Sequence, residues 1–212
     1  MMKAFDLSVY LVLDPHLCHS LGMVQTARLA VEGGVTMVQL RDKQASTAQM
    51  IETGQALKAV LASSGIPLIV NDDIEAAIAV GAEGVHVGQS DMGAAVTRQR
   101  VGQAMILGVS VETEELARQV DPSIVDYVGI GPVFATPTKP DHKRPIGFGG
   151  LARIAAAASV PAVAIGGLKA EHAGKALAAG AKGIAVVSAI CGQQDPKQAA
   201  LRIAEEIKKV RA

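Results

Sequence analysis

Aromatic side chains are nearly missing from this sequence: it has no tryptophan, two tyrosines and three phenylalanines. Rows of rings on which single-stranded bases could stack are therefore not expected. An excess of either charge is missing too, because 20 Lys and Arg balance 20 Asp and Glu. With no basic stripe to neutralise a phosphate backbone, nucleic acid is not an expected partner. Cysteine is confined to Cys18 and Cys191, too few for a disulfide framework at this length, and both read as reduced thiols. His16, Cys18 and His19 lie close together but match no zinc spacing. Long apolar runs are absent as well. The stretch from Leu7 to Leu13 is bounded by Asp6 and Asp14, and residues 154–168 are interrupted by Pro161, Gly166 and Gly167. No membrane span or leader is expected, and the reading is a soluble, cytoplasmic protein.

What is present is aliphatic. Half of the 212 residues are hydrophobic, and that length suits one core, so residues 1–212 read as a single domain. One phrase recurs: a helix end, a glycine or acidic turn, then a short β-branched run. It appears as "VEGGVTMVQL" (31–40), "VGAEGVHVGQ" (80–89), "VDPSIVDYVGIG" (120–131) and "AAGAKGIAVVSA" (178–189). Gly33/Gly34, Gly81 and Gly180 stand where a helix end calls for a left-handed residue. Four more strand candidates fall between these phrases, at 8–14, 66–72, 104–110 and 160–167. Helical periodicity is best at 46–63, 112–119 and 196–210. Eight alternating βα units predict an α/β fold, a single (β/α)8 TIM barrel. The competing open, doubly wound sheet would want a glycine-rich fingerprint after its first strand, where the chain reads "LDPHLCHSLG".

Barrels of this kind carry their chemistry at the C-terminal ends of the strands. That edge would hold Gln39, Arg41 and Lys43, which alternate in "QLRDK" and would share one face of an extended chain. Asn71, Asp72 and Asp73 follow strand 3, His86, Gln89 and Asp91 strand 4, and Ser110 strand 5. A long connection follows strand 6, residues 131–150, holding Thr136, Thr138, Lys139, Lys143 and Arg144. Its length suggests a lid that closes over a ligand. Strand 7 ends at Gly166–Gly167 and strand 8 at Val187–Ser188.

Backbone amides after strands 7 and 8 are a habitual phosphate pocket in such barrels, although a Gly-Gly tight turn and a Ser helix cap would leave the same trace. On the other side, Asp72 and Asp91 stand beside Arg41, Lys43 and Lys139. Separate carboxylates with nearby cations suit magnesium and a diphosphate; rim salt bridges are the plainer alternative. No nucleophilic triad is legible. Ser110 has no sequence neighbour to serve as its base, and His86 reads as a packed strand-end residue rather than a catalyst.

These segments together resemble the thiamine phosphate synthase family from the first strand to the final helix. The matching stretches are "QLRDK" (39–43), "PLIVNDD" (67–73), "GVHVGQSD" (84–91), "LGVS" (107–110), "YVGIGPVFATPTK" (127–139), "AIGG" (164–167) and "VVSAI" (186–190). The resemblance implies a transferase that joins a pyrimidine diphosphate to a thiazole phosphate and releases pyrophosphate, with Mg2+ as cofactor. It implies Gln39, Arg41, Lys43, Asn71, Ser110 and Lys139 as the pyrimidine-diphosphate contacts. Arg41, Lys43, Ser110 and Lys139 would carry the catalysis. Asp72 and Asp91 would be the metal ligands, and Thr136, Thr138, Gly167, Val187 and Ser188 would take the thiazole phosphate. The family's dissociative reaction needs stabilisation of a leaving group more than a nucleophile, which accounts for the missing triad. A thiazole tautomerase on the same barrel would want an acid or base near Ser110 and no diphosphate half. A phosphosugar isomerase or epimerase would leave the paired aspartates unused, and a non-catalytic phosphate-ligand sensor would not need a full catalytic rim. The preferred thiazole form stays open, as does assembly into a homo-oligomer.

Overall fold

The computed structural model describes residues 5–88, 93–136, 138 and 143–212. Its strands are β1 (Val9–Leu13), β2 (Met37–Leu40), β3 (Leu68–Asn71), β4 (Gly84–Val87), β5 (Ile106–Val111), β6 (Tyr127–Ile130), β7 (Ala162–Ile165) and β8 (Ile184–Val186). Between and after them run α1 (Met23–Glu32), α2 (Thr47–Leu61), α3 (Ile74–Val80), α4 (Ala94–Val101), α5 (Glu114–Arg118), α6 (Gly147–Ala157), α7 (Ala173–Ala178) and α8 (Pro196–Arg211). All pairings are parallel, and β8 returns to β1 with Val9 opposite Ile184, so the sheet closes into the expected barrel.

The strands are short and aliphatic because both of their faces are covered. Side chains alternate between two cores. Val9, Leu11 and Leu13 of β1 point out to the helices, as do Val38 and Leu40 of β2. Tyr10 and Val12 point into the lumen with Met37, Ile69, Ile106, Tyr127, Val163 and Ala185. The outer shell is packed by alanines such as Ala27, Ala30, Ala76, Ala77 and Ala200, and small residues let helices lie close to the sheet. Both cysteines are buried free thiols.

Helix starts follow from their caps. Ser46 forms a capping box with Gln49 at α2, and Asp73, Thr113 and Asp195 each accept from the backbone of α3, α5 and α8. Gly34, Gly81 and Gly180 take positive φ as expected, but Gly33, just before Gly34, has φ −89 and is not left-handed. A different need holds Gly33 in place: a Cβ there would come within 2.1 Å of the Lys197 carbonyl oxygen on α8. The connection after β6 is also shorter than expected, since α6 begins at Gly147 inside "GFGG". The first amides of a helix have no intrahelical partner, so a glycine-rich first turn is tolerated there. Gly150 lets Ile146 pack, because a Cβ at 150 would sit 2.6 Å from the Ile146 Cβ. No described helix is long and apolar enough to cross a membrane.

Candidate active site

The expected residues gather at the C-terminal rim, with one change of geometry. Strand β2 ends at Leu40, so the alternation expected through "QLRDK" stops there. Asp42 accepts from the amides of Gln44 and Ala45 and bends the chain. Gln39, two residues after the lumen-facing Met37, lies inside the barrel, 4% exposed, while the bend leaves Arg41 and Lys43 on the loop above it. Lys43 reaches across to β3 and pairs with the Asp72 carboxylate.

Asp72 is held from several sides. Its amide donates to the His86 carbonyl at 2.9 Å, and the Asn71 amide group donates to its Oδ2 at 2.6 Å. Its φ is +62, the only positive value among described non-glycine residues. Asp tolerates this conformation better than most residues, but such strain persists where the surroundings over-determine it. Asp73, expected beside it, instead caps α3 through a 2.9 Å bond from the Ala76 amide. Among the described residues no three His, Cys, Asp or Glu side chains converge as a metal group; Asp91 and Gln89 lie outside the described residues, as do Lys139 and His142. The chemistry at Asp72 does fit a hard cation: a half-buried carboxylate already attracts an ammonium and an amide N–H.

Sequence reasoning missed the surroundings of Ser110. His86 is 9% exposed, and its Nε2 lies 2.9 Å from Ser110 Oγ while its Nδ1 lies 3.0 Å from the Tyr127 hydroxyl. His86 is packed at a strand end, as expected, yet it is also the imidazole partner that Ser110 lacked in sequence. A serine–histidine pair backed by a neutral phenol differs from one backed by a carboxylate. The phenol cannot stabilise an imidazolium by charge, so this pair is built to orient a hydroxyl rather than deprotonate it. Inward parity on strands β4, β5 and β6 is the sequence signal that could have joined these three residues.

The β7–β8 side is built from backbone. Gly166 has φ +101 and Gly167 φ +64. A Cβ on Gly166 would lie 2.6 Å from the Pro132 Cα, and one on Gly167 would lie 2.7 Å from the Ala135 oxygen. The Val133 and Phe134 amides donate to the Ile165 and Gly166 carbonyls at 2.9 and 3.0 Å. The two glycines thus seat the start of the β6 connection as well as opening the strand end. In that connection the Thr138 amide donates to Thr136 Oγ1 at 3.3 Å. Val187 is half-buried and Ser188 exposed, and a turn closes as the Ile190 and Cys191 amides donate to the Val187 carbonyl. Lys143 and Arg144 are exposed.

Fold and rim together define a class: a (β/α)8-barrel enzyme with its polar groups concentrated at the C-terminal ends of the strands. Residues 9–190 match the family model described as thiamine monophosphate synthase, and the chain belongs to that family. A thiamine-phosphate synthase of Albidiferax ferrireducens is 47% identical over 202 residues, covering 95% of this chain and 92% of that protein. One of Vibrio parahaemolyticus is 45% identical over 204 residues, covering 94% and 96%. Among solved structures, a thiamine phosphate pyrophosphorylase from Pyrococcus furiosus superposes with a TM-score of 0.88 at 34% identity, covering 97% of this chain and 98% of that one. A 3-hexulose-6-phosphate synthase at 21% identity and TM-score 0.67 shares the fold.

Proposed function

We propose that the two sides of the rim divide the work of a thiamine-phosphate synthase, the activity that its relatives' names carry at close to full coverage of both chains. The β2–β5 side takes 4-amino-5-hydroxymethyl-2-methylpyrimidine diphosphate through Gln39, Arg41, Lys43, Asn71, Ser110 and Lys139. The β6–β8 side takes the thiazole phosphate through Thr136, Thr138 and the backbone at Gly167, Val187 and Ser188. The observation that carries this division is the contrast in donors: a lysine side chain, Lys43, paired with Asp72 on one side, glycine-opened backbone on the other.

In this reading the bond between the pyrimidine methylene carbon and the diphosphate oxygen breaks first. Its electron pair leaves with pyrophosphate, and the thiazole nitrogen supplies the pair for the new bond. Arg41, Lys43 and Lys139 meet the negative charge that grows on the leaving oxygens, and Ser110 donates a hydrogen bond to the diphosphate. The two binding sites hold the reactants at one distance and angle, which removes most of the entropic cost of their encounter. Asp72 with Asp91 would hold Mg2+, which when bound adds positive charge beside the leaving group.

The test is pyrophosphate release from purified protein given both substrates and Mg2+, with each omitted in turn. Release that requires all three, with thiamine phosphate as product, supports the assignment. Lys139→Ala lowers the chemical rate and leaves the fold intact; wild-type turnover would remove Lys139 from the mechanism. Asp72→Asn with Asp91→Asn removes the metal requirement along with most activity, and persistent metal-dependent turnover would put the ligands elsewhere.

A further inference from the structure

His86 and Ser110 belong to a chain of hydrogen bonds that runs from Gln39 across the lumen. Gln39 Nε2 donates to the Tyr10 hydroxyl at 2.7 Å. The Tyr10 and Tyr127 hydroxyls are 2.8 Å apart, Tyr127 and His86 Nδ1 3.0 Å, His86 Nε2 and Ser110 Oγ 2.9 Å. Tyr10 and Tyr127 are the protein's two tyrosines, and both are buried. Strand residues give way to let the chain pass. A Cβ on Gly108 would lie 2.1 Å from the Tyr127 Cζ and 2.4 Å from its hydroxyl, and Gly129 borders the His86 ring. Among the described residues no buried side-chain N or O atom lacks a partner.

The direction of this chain follows from counting protons. Tyr10 accepts from Gln39 and has one proton to give. Leaving it unbonded in an apolar interior is costly, and the other hydroxyl in reach is that of Tyr127. Tyr127, having accepted from Tyr10, gives its proton to His86 Nδ1. A neutral imidazole that accepts at Nδ1 carries its proton on Nε2 and donates it to Ser110. Burial raises both phenol pKa values above the ordinary tyrosine range, so both stay protonated at neutral pH.

We propose that Gln39 is a positioning residue that acts through Tyr10 and Tyr127 to fix His86 as the Nε2–H tautomer, and so sets Ser110 to donate its own proton toward the diphosphate. The catalytic half of this rests on Ser110 being a diphosphate contact. The reversed chain would have Ser110 give its proton to His86 and turn lone pairs toward an anion.

The test reads the tautomer in substrate-free protein by 15N NMR of labelled histidine, with His86 assigned from a His86→Asn variant. The wild type gives Nε2–H; finding Nδ1–H there overturns the proposal. In Gln39→Glu an ionised carboxylate can only accept, which turns Tyr10 and Tyr127 round and moves the proton to Nδ1. Gln39→Leu removes donor and acceptor without charge and leaves a mixture of tautomers, which covers a glutamic acid that stays protonated in the lumen. A wild-type tautomer in both variants overturns the proposal.

Kinetics separate positioning from direct contact. Gln39→Glu lowers kcat roughly 10- to 100-fold, the scale of one charge-assisted hydrogen bond. In the Ser110→Ala background the same change costs much less, because the part that acts through the hydroxyl is already lost and only Gln39's own contact with the pyrimidine remains. Fully additive losses mean that Gln39 acts only through its own contact with the substrate and overturn the idea. Full turnover in Ser110→Ala overturns the catalytic half alone, while the spectra still decide the positioning half.

Discussion

The two mouths of the barrel use charge in opposite ways. At the N-terminal mouth, charged side chains are tied to backbone just ahead of the strands. Arg98, its side chain 6% exposed, donates to the carbonyls of Ile124, Gly102 and Met105 at 2.8, 2.7 and 2.6 Å and to Asp126 at 2.7 Å. Asp126 accepts in turn from the Leu107 amide at 2.8 Å, so one pair joins α4 to the starts of β5 and β6. Glu83 accepts from the Leu68 amide and pairs with Lys58, and Arg211 donates to Ser8 and the Lys182 carbonyl. At the C-terminal rim, Lys43 is 53% exposed and meets a single carboxylate, on a residue in a strained conformation. Charge at one mouth is committed to the fold; at the other it remains within reach of a ligand.

Substitutions can break that contrast, and they fall in order of expected cost to stability. Arg98→Met takes one donor each from Asp126 and three carbonyls and breaks a buried ion pair, and should cost about 3–5 kcal/mol in urea unfolding. The folded fraction should keep its kcat, and a fall in kcat without loss of stability would erase the distinction between the mouths. Gly166→Ala forces a side chain into φ +101 and against Pro132, for about 2 kcal/mol by thermal unfolding. It should also raise KM for the thiazole phosphate, because the β6 connection rests on that backbone. Lys43→Met should change stability by less than about 1 kcal/mol, since the pair is partly exposed. Its turnover should nevertheless fall roughly tenfold or more. Lys58→Ala is expected to do least, within about 0.5 kcal/mol and with unchanged turnover, because Glu83 keeps its bond to the Leu68 amide.

Much of this was legible in the sequence, for identifiable reasons. Eight strands could be placed because each is an aliphatic run set off by turn residues, and the rim residues because they stand at the ends of those runs. Three matters escaped. The bend at Asp42 is a side-chain-to-backbone turn that strand alternation does not encode. Gly33 serves a contact with Lys197, far along the chain, rather than its own helix end. The bond from His86 to Ser110, and those through Tyr10 and Tyr127, join residues 24 to 117 positions apart. Their strand parity was available, but which inward residues meet depends on the stagger of the closed barrel.

Closure of the sheet does more than bury its edges. Val9–Leu11 pair with Ile184–Val186, the widest sequence separation in the sheet, and Gly33 admits α8 against α1. Before that joint forms, β1 through β7 are a ribbon with two raw edges, open to mispairing with other chains. Contacts between such distant segments are costly to form, since a long loop must first be drawn in. The same joint brings Val187 and Ser188 to the rim. One joint therefore both removes the raw edges of the sheet and completes the rim.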